Sequence, residues 1–347
     1  MVPEPTGMTP APVVSVVIPT RNRAATLDRA VASIVEPAPA TPFEIVVVDN
    51  ASEDETSQVL ARWIDREQRI RAVREDEVGA GPALRTGTAA AVGSLLLFTD
   101  DDVVVDPGWV DAYVAFFERR PGASVAGGPI RPLPRTGAWP AWFSELATPA
   151  LGQVLHDGER PLVAGEHVWG ANMAARASVF ERIGGWRADL GVRDRDHPTD
   201  PGLNQDVELQ YRARDRGEEV WFCPDARVGH LVDERPPGWL LRRAFLNGRN
   251  ARHRRPWPGM PEAPMRAAGS PAAIAAWGAN ACGVIVDALA FGIRPQAPRF
   301  ERAWLRAWRL GWSFEDAVTD GRRRFDAVVQ AVSRSAIWIA QRLAGRS

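Results

Sequence analysis

The sequence predicts an α/β fold with a mostly parallel central sheet flanked by helices, followed by a helical C-terminal extension. Two observations carry this. Short runs of β-branched and aliphatic residues alternate with amphipathic helical patterns across the first hundred residues, with short loops between them. Three of the runs end in polar clusters, at Pro19-Thr20-Arg21, Asp49-Asn50 and Asp100-Asp101-Asp102. In sheets of this kind ligands bind at the carboxyl ends of the strands.

The elements follow in order. Residues 1–12 are Pro-rich, lack the charged-then-apolar pattern of a signal peptide, and read as a disordered lead-in. Val13 to Ile18 is a buried strand that Pro19 ends. Thr26 to Val35 is a helix with Leu27, Ala30, Val31 and Ile34 on one face. Phe43 to Val48 is a second buried strand. Ser52 reads as the N-cap of the next helix, with Glu55 completing a capping box and Val59, Leu60, Trp63 and Ile64 on its apolar side. Ile70 to Arg74 is a third strand, and Gly79 to Ala91 a Gly-rich entry into a helix. Ser94 to Pro107 is the centre of the chain: Leu95 to Phe98 is a buried strand that delivers three consecutive carboxylates, and a second apolar run, Val103 to Val105, follows. Asp106 and Pro107 read as N-cap and first residue of a helix. Val125 to Arg131 and Val168 to Met173 read as strands, 177–183 as a helix stopped by Gly184-Gly185, Asn204 onward as the start of a helix, and Val220 to Pro224 as a last strand.

Composition sets bounds. The 347 residues, 45% apolar and 24% charged, fit an ordinary globular chain with a substantial core. A net charge of −1 gives no global attraction to nucleic acid. The two cysteines, Cys223 and Cys282, form neither a disulfide framework nor a zinc site, so a cytoplasmic location is the expectation.

Adjacent carboxylates at the end of a buried strand repel one another and are tolerated when solvated or bound to a cation. Oxygen ligands suit a hard divalent ion such as Mg2+ or Mn2+, which commonly shares a nucleotide's phosphates as ligands. A dinucleotide site would need G-x-G-x-x-G directly after a strand; the first turn has no glycine, and Gly79-Ala80-Gly81-Pro82-Ala83-Leu84 lacks the third.

Ser15 to Arg23, Ile45 to Ser52 and Phe98 to Asp102 resemble the family 2 glycosyltransferases of the GT-A fold. The resemblance runs over about residues 13–250 and includes Gly170-Ala171-Asn172-Met173, Gly184-Gly185-Trp186, Asn204 to Leu209, Pro224-Asp225-Ala226 and His230. It implies a division into a nucleotide-sugar-binding half, 13–130, an acceptor-binding half, 131–255, and the extension, 256–347. Pro19, Thr20 and Arg21 would wall the nucleoside pocket. Asp49 would accept a base N–H or a ribose hydroxyl. Arg85, in a stretch where the family usually has Arg-Asn-x-Gly, would donate to the nucleotide. Asp100 and Asp102 would be the outer pair of a D-x-D that holds Mg2+ or Mn2+, with Asp101 near the ribose or sugar and His230 completing the metal or phosphate site. Asp206, in a stretch similar to the family's Glu-Asp-x-Glu-Leu with Gln205 in place of Glu, would be the general base on the acceptor hydroxyl.

The resemblance therefore implies metal-dependent, inverting transfer of a sugar from a nucleotide-sugar donor, most commonly a UDP-sugar, to a hydroxyl-bearing glycan, lipid-linked or small-molecule acceptor. Transfer to a lipid phosphate and a non-catalytic nucleotide-sugar-binding relative are the alternatives. Pro132 to His167, with Trp139, Trp142, Phe143 and His156, either lines an acceptor channel or packs on the core. Between Arg235 and Arg255 lie seven Arg and one His with no acid, a solvated helix face or an Arg surface for diphosphate or anionic lipid. In the extension, Ala272 to Ile293 carries a central Asp287, which costs about 3 kcal/mol on insertion scales, so a packed or membrane-surface hairpin is favoured over a span. The Trp304, Trp308 and Trp312 stripe suits internal packing or a dimer face, with peripheral membrane contact the alternative.

Overall fold

The computed structural model describes residues 13–190 and 205–233, apart from 142, 164 and 189, together with 235, 240 and 302. The lead-in, Trp142, most of the Asp189 to Gly202 loop, Asn204, the Arg-rich run beyond Arg235 except Leu240, and the C-terminal extension except Arg302 lie outside the described residues.

The described elements are β1 (Val14–Thr20), α1 (Ala24–Val35), β2 (Phe43–Asp49), α2 (Thr56–Arg66), β3 (Ile70–Arg74), α3 (Ala80–Ala90), β4 (Leu95–Thr99), β5 (Val103–Val105), α4 (Trp109–Arg119), β6 (Ala123–Gly127), β7 (Ile130–Pro134), a 3-10 turn (Glu145–Leu151), β8 (Arg160–Pro161), β9 (Asn172–Arg176), α5 (Ala177–Ile183), α6 (Gln205–Asp215), β10 (Glu219–Phe222) and β11 (Val228–Val232). The main sheet has the order β3-β2-β1-β4-β9-β6-β10-β8, and β5-β11-β7 form a small second sheet. Strands β3, β2, β1 and β4 are parallel, in keeping with the near-continuous buried apolar runs of β2, β1 and β4. The sheet turns mixed at β9, which runs antiparallel to both β4 and β6.

The core lies on both faces of β1, β2 and β4, whose residues are almost all buried. Leu27, Val31 and Ile34 of α1 cover one part of it, and Trp109, Tyr113 and Phe116 of α4 another. Ile64 of α2, expected on the apolar face, is instead exposed.

Most expected elements recur, but several boundaries move, and β11 follows β10, the strand expected to be the last. Helix α2 starts at Thr56, and Ser52 caps nothing; its hydroxyl accepts from the Asn22 amide at 3.1 Å. The Asp54 carboxylate takes the Thr56 amide at 3.0 Å and the Ala24 amide at 3.2 Å, joining the starts of α2 and α1. Helix α4 starts at Trp109 behind Gly108, and Asp106 is not its N-cap. The strand expected at Val125 to Arg131 divides into β6 and β7, and the one expected at Val168 to Met173 begins at Asn172. Gly184, with φ +85°, stops α5 as expected.

The chain divides into two compact units, residues 1–131 with 154–231, and residues 132–153 with 232–347. The site described next lies in the first. In the second, Trp139 and Phe143 stack 4.2 Å apart, and Arg135 pairs with Asp233 at 2.7 Å.

Candidate active site

The three carboxylates stand where β4 gives out. The run Leu95 to Phe98 is apolar and buried throughout, so the first carboxylates come after Thr99, whose hydroxyl donates to the Ala171 carbonyl at 3.0 Å. The chain turns at once, with the Val103 amide on the Asp100 carbonyl at 3.2 Å, and β5 leads away. Strand β11 pairs antiparallel with β5, placing His230 opposite Val103, and the Leu231 amide donates to the Asp102 carbonyl at 2.7 Å. This ribbon brings His230 to the triplet from 128 residues away.

Each carboxylate has a different setting. Asp101 is buried and accepts the Thr20 hydroxyl at 2.8 Å. Asp102 is buried between Arg23, whose guanidinium donates to Oδ2 at 3.1 Å, and His230, whose Nε2 lies 3.1 Å from Oδ1. Ligand atoms of Asp100, Asp102 and His230 all lie within 4.8 Å of one another. Burial, then the Asp102 charge, pushes the Asp100 carboxyl up to about 6 and that of Asp101 to about 7. The charge on Asp206 also reaches Asp100.

Asp206 sits in the first turn of α6 and is buried. Its Oδ2 accepts the Gly170 amide at 2.7 Å and its Oδ1 the Val207 amide at 2.8 Å. Burial outweighs these donors and pushes its carboxyl up to about 6.

Four acidic side chains thus share a small volume with Arg23 and His230. Two carboxylates and an imidazole suit Mn2+ or Mg2+, and a divalent cation there would offset charge that burial makes costly. The donor set fits such an ion.

The other expected residues lie nearby or apart. Thr20 and Asp49 are register partners at the ends of β1 and β2, so Asp49 stands beside the residue that holds Asp101. Its Oδ1 accepts the Ser52 amide at 3.0 Å and its Oδ2 an Arg74 N–H at 3.2 Å. Pro19 and Arg21 flank Thr20 and are partly buried. Arg85 lies on α3, half-exposed, 3.5 Å from Glu77, and touches none of the carboxylates.

Sequence reasoning missed Arg23, Arg74 and Asn172 as functional neighbours. Arg23 and Arg74 were within reach of it: Arg23 lies three residues past the end of β1, and Arg74 ends β3, in register with Asp49 of β2. Asn172 was not, because its role is to join segments distant in sequence. Its fully buried amide accepts from Trp109 Nε1 at 2.9 Å and Tyr113 OH at 2.8 Å, and donates to the Pro129 carbonyl at 3.0 Å and the Ala226 carbonyl at 2.8 Å.

Residues 15–184 match the family described as Glycosyl transferase family 2. Validoxylamine A glucosyltransferase of Streptomyces hygroscopicus subsp. jinggangensis (strain 5008) is 31% identical over 231 residues, 59% of this chain and 52% of its own. The chain thus spans about half the length of that relative. Glycosyltransferase AglE of Haloferax volcanii is 25% identical over 69% of this chain and 72% of its own. In fold, the chain resembles the mannosyltransferase PcManGT of Pyrobaculum calidifontis, solved with GDP-Man and Mn2+, at a TM-score of 0.51 and 20% identity, over 98% of this chain and 88% of that one. Residues 15–184 form a glycosyl transferase family 2 domain, and the mixed α/β sheet of the chain is of the GT-A type.

Proposed function

We propose that the protein is a metal-dependent, inverting glycosyltransferase that moves a sugar from a nucleoside-diphosphate sugar, a UDP-sugar being the first to test, to a hydroxyl acceptor. The observation that carries this is the convergence of Asp100, Asp102 and His230 beside a separate buried carboxylate, Asp206. One group of side chains can hold a cation and the other can take a proton.

Asp100, Asp102 and His230 would hold Mg2+ or Mn2+, which when bound supplies charge neutralisation to the departing diphosphate. Pro19, Thr20 and Arg21 would wall the nucleoside, Asp49 would accept a base N–H or ribose hydroxyl, and Asp101 would face the ribose or sugar. Arg85 would reach the nucleotide by turning from Glu77. Asp206, ionised above about pH 6, takes the acceptor hydroxyl's proton as that oxygen attacks the anomeric carbon. The bond to the diphosphate oxygen breaks in the same displacement, so the anomeric configuration inverts. The name of the validoxylamine A relative supports a small-molecule acceptor as one candidate beside glycan and lipid-linked ones.

The test is nucleoside diphosphate release with Mn2+ across UDP-, GDP- and dTDP-sugars. Release with one donor class is expected, abolished by EDTA and lowered about 10²- to 10⁴-fold by Asp206→Asn, the range of general-base catalysis. A protein that binds none of the nucleotides with Mn2+ present would overturn the reading.

A further inference from the structure

We propose that Gln210 is a positioning residue for Asp206, an inference that rests on Asp206 being the base. Gln210 follows Asp206 by one turn of α6 and is fully buried. Its Oε1 accepts the Val168 amide at 3.0 Å, and its Nε2 donates to the Val168 carbonyl at 2.8 Å. The side-chain amide therefore offers Val168 the donor and acceptor that a neighbouring strand would offer. The same Nε2 donates to the Asp206 carbonyl at 2.9 Å.

Val168 precedes β9, so its backbone depends on this amide for its pairing. Its side chain packs closely on β6, where a Cβ on Gly127 would fall 2.2 Å from the Val168 Cβ. Two residues on, the Gly170 amide donates to Asp206 Oδ2. The circuit is closed. Gln210 holds the Asp206 backbone and Val168 together, and the segment from Val168 to Gly170 returns to aim the Asp206 carboxylate. A packing role would be met by Leu or Met, which fill similar volume; neither would satisfy Val168.

The test compares Gln210→Met, Asp206→Asn and the double variant in the full-length protein. It measures nucleoside diphosphate release, donor KM, affinity for UDP with Mn2+, and thermal unfolding. Gln210→Met should lower kcat about tenfold or more, with donor KM and nucleotide affinity within about twofold. Added to Asp206→Asn it should cost nothing further, because both act through one group. An unchanged kcat overturns the proposal, as does a loss of the same size with and without Asp206, or a parallel loss of nucleotide affinity. If Gln210→Met does not fold, Gln210→Asn, which keeps the amide one methylene short, carries the same comparison. Full activity in Asp206→Asn would remove the base assignment itself. An inactive Asp206→Asn beside an unaffected Gln210→Met would remove only the Gln210 inference.

Discussion

Asn172→Ala should destabilise the fold by about 2–6 kcal/mol. The figure comes from counting what loses its partner. Four groups bond to the Asn172 amide, but two have a second bond. The Tyr113 hydroxyl also donates to the Asn172 backbone carbonyl at 3.2 Å, and the Pro129 carbonyl also accepts the Val228 amide at 3.0 Å. Trp109 Nε1 and the Ala226 carbonyl remain. Each buried group left unpaired costs about 1–3 kcal/mol. The sum is a large share of the roughly 5–15 kcal/mol that holds a typical domain together. Asn172→Asp keeps the shape and the Trp109 and Tyr113 contacts, but turns a carboxylate oxygen toward two carbonyls, so it should cost at least as much. Urea unfolding followed by Trp fluorescence measures both. A loss below about 1 kcal/mol for Asn172→Ala, with the urea dependence unchanged, would refute the accounting.

Other outcomes follow from the acidic cluster and the close approaches around it. Asp206 and Asp100 titrate near 6 and Asp101 near 7 in the fold, against an ordinary 3.8, so the folded state holds protons that the unfolded state has lost. Their contribution to stability therefore declines as pH rises from about 4 to 7. Mn2+ should raise the unfolding temperature more at pH 7.5 than at pH 5, which thermal melts would show. The kcat of transfer should fall as pH drops below about 6, where Asp206 takes up its proton; a flat profile down to pH 4.5 would count against Asp206 as base. His230→Ala should weaken Mn2+ binding in calorimetry by at least the roughly tenfold that outer-shell partners of a metal are worth. Gly128→Ala should cost about 1–3 kcal/mol or more in the same urea assay, since its Cβ would fall 1.9 Å from the Ala226 carbonyl oxygen and 2.8 Å from Asn172 Nδ2.

The sequence by itself determined the parallel half of the sheet and the triplet at its edge. Runs such as Val14 to Ile18 and Ile45 to Val48 can only be buried strands, and carboxylates directly after such a run must emerge at a strand end. The helix between β1 and β2 was equally legible, because its apolar face repeats locally. What local pattern could not determine was anything settled by a distant partner. Asp54, just ahead of α2, is tied to the Ala24 amide at the start of α1, and Asp111 of α4 is engaged by the Ala40 and Thr41 amides at 3.1 and 3.0 Å. The resemblance brought His230 and Asp206 into view, but their geometry is tertiary. His230 meets Asp102 only through the β5–β11 pairing, and Asp206 is aimed by Gly170 and, through Val168, by Gln210. A single Gln or Asn in a sequence carries no sign of being buried. Only the folded chain, by surrounding it with backbone groups that need its donors and acceptors, makes it a structural joint.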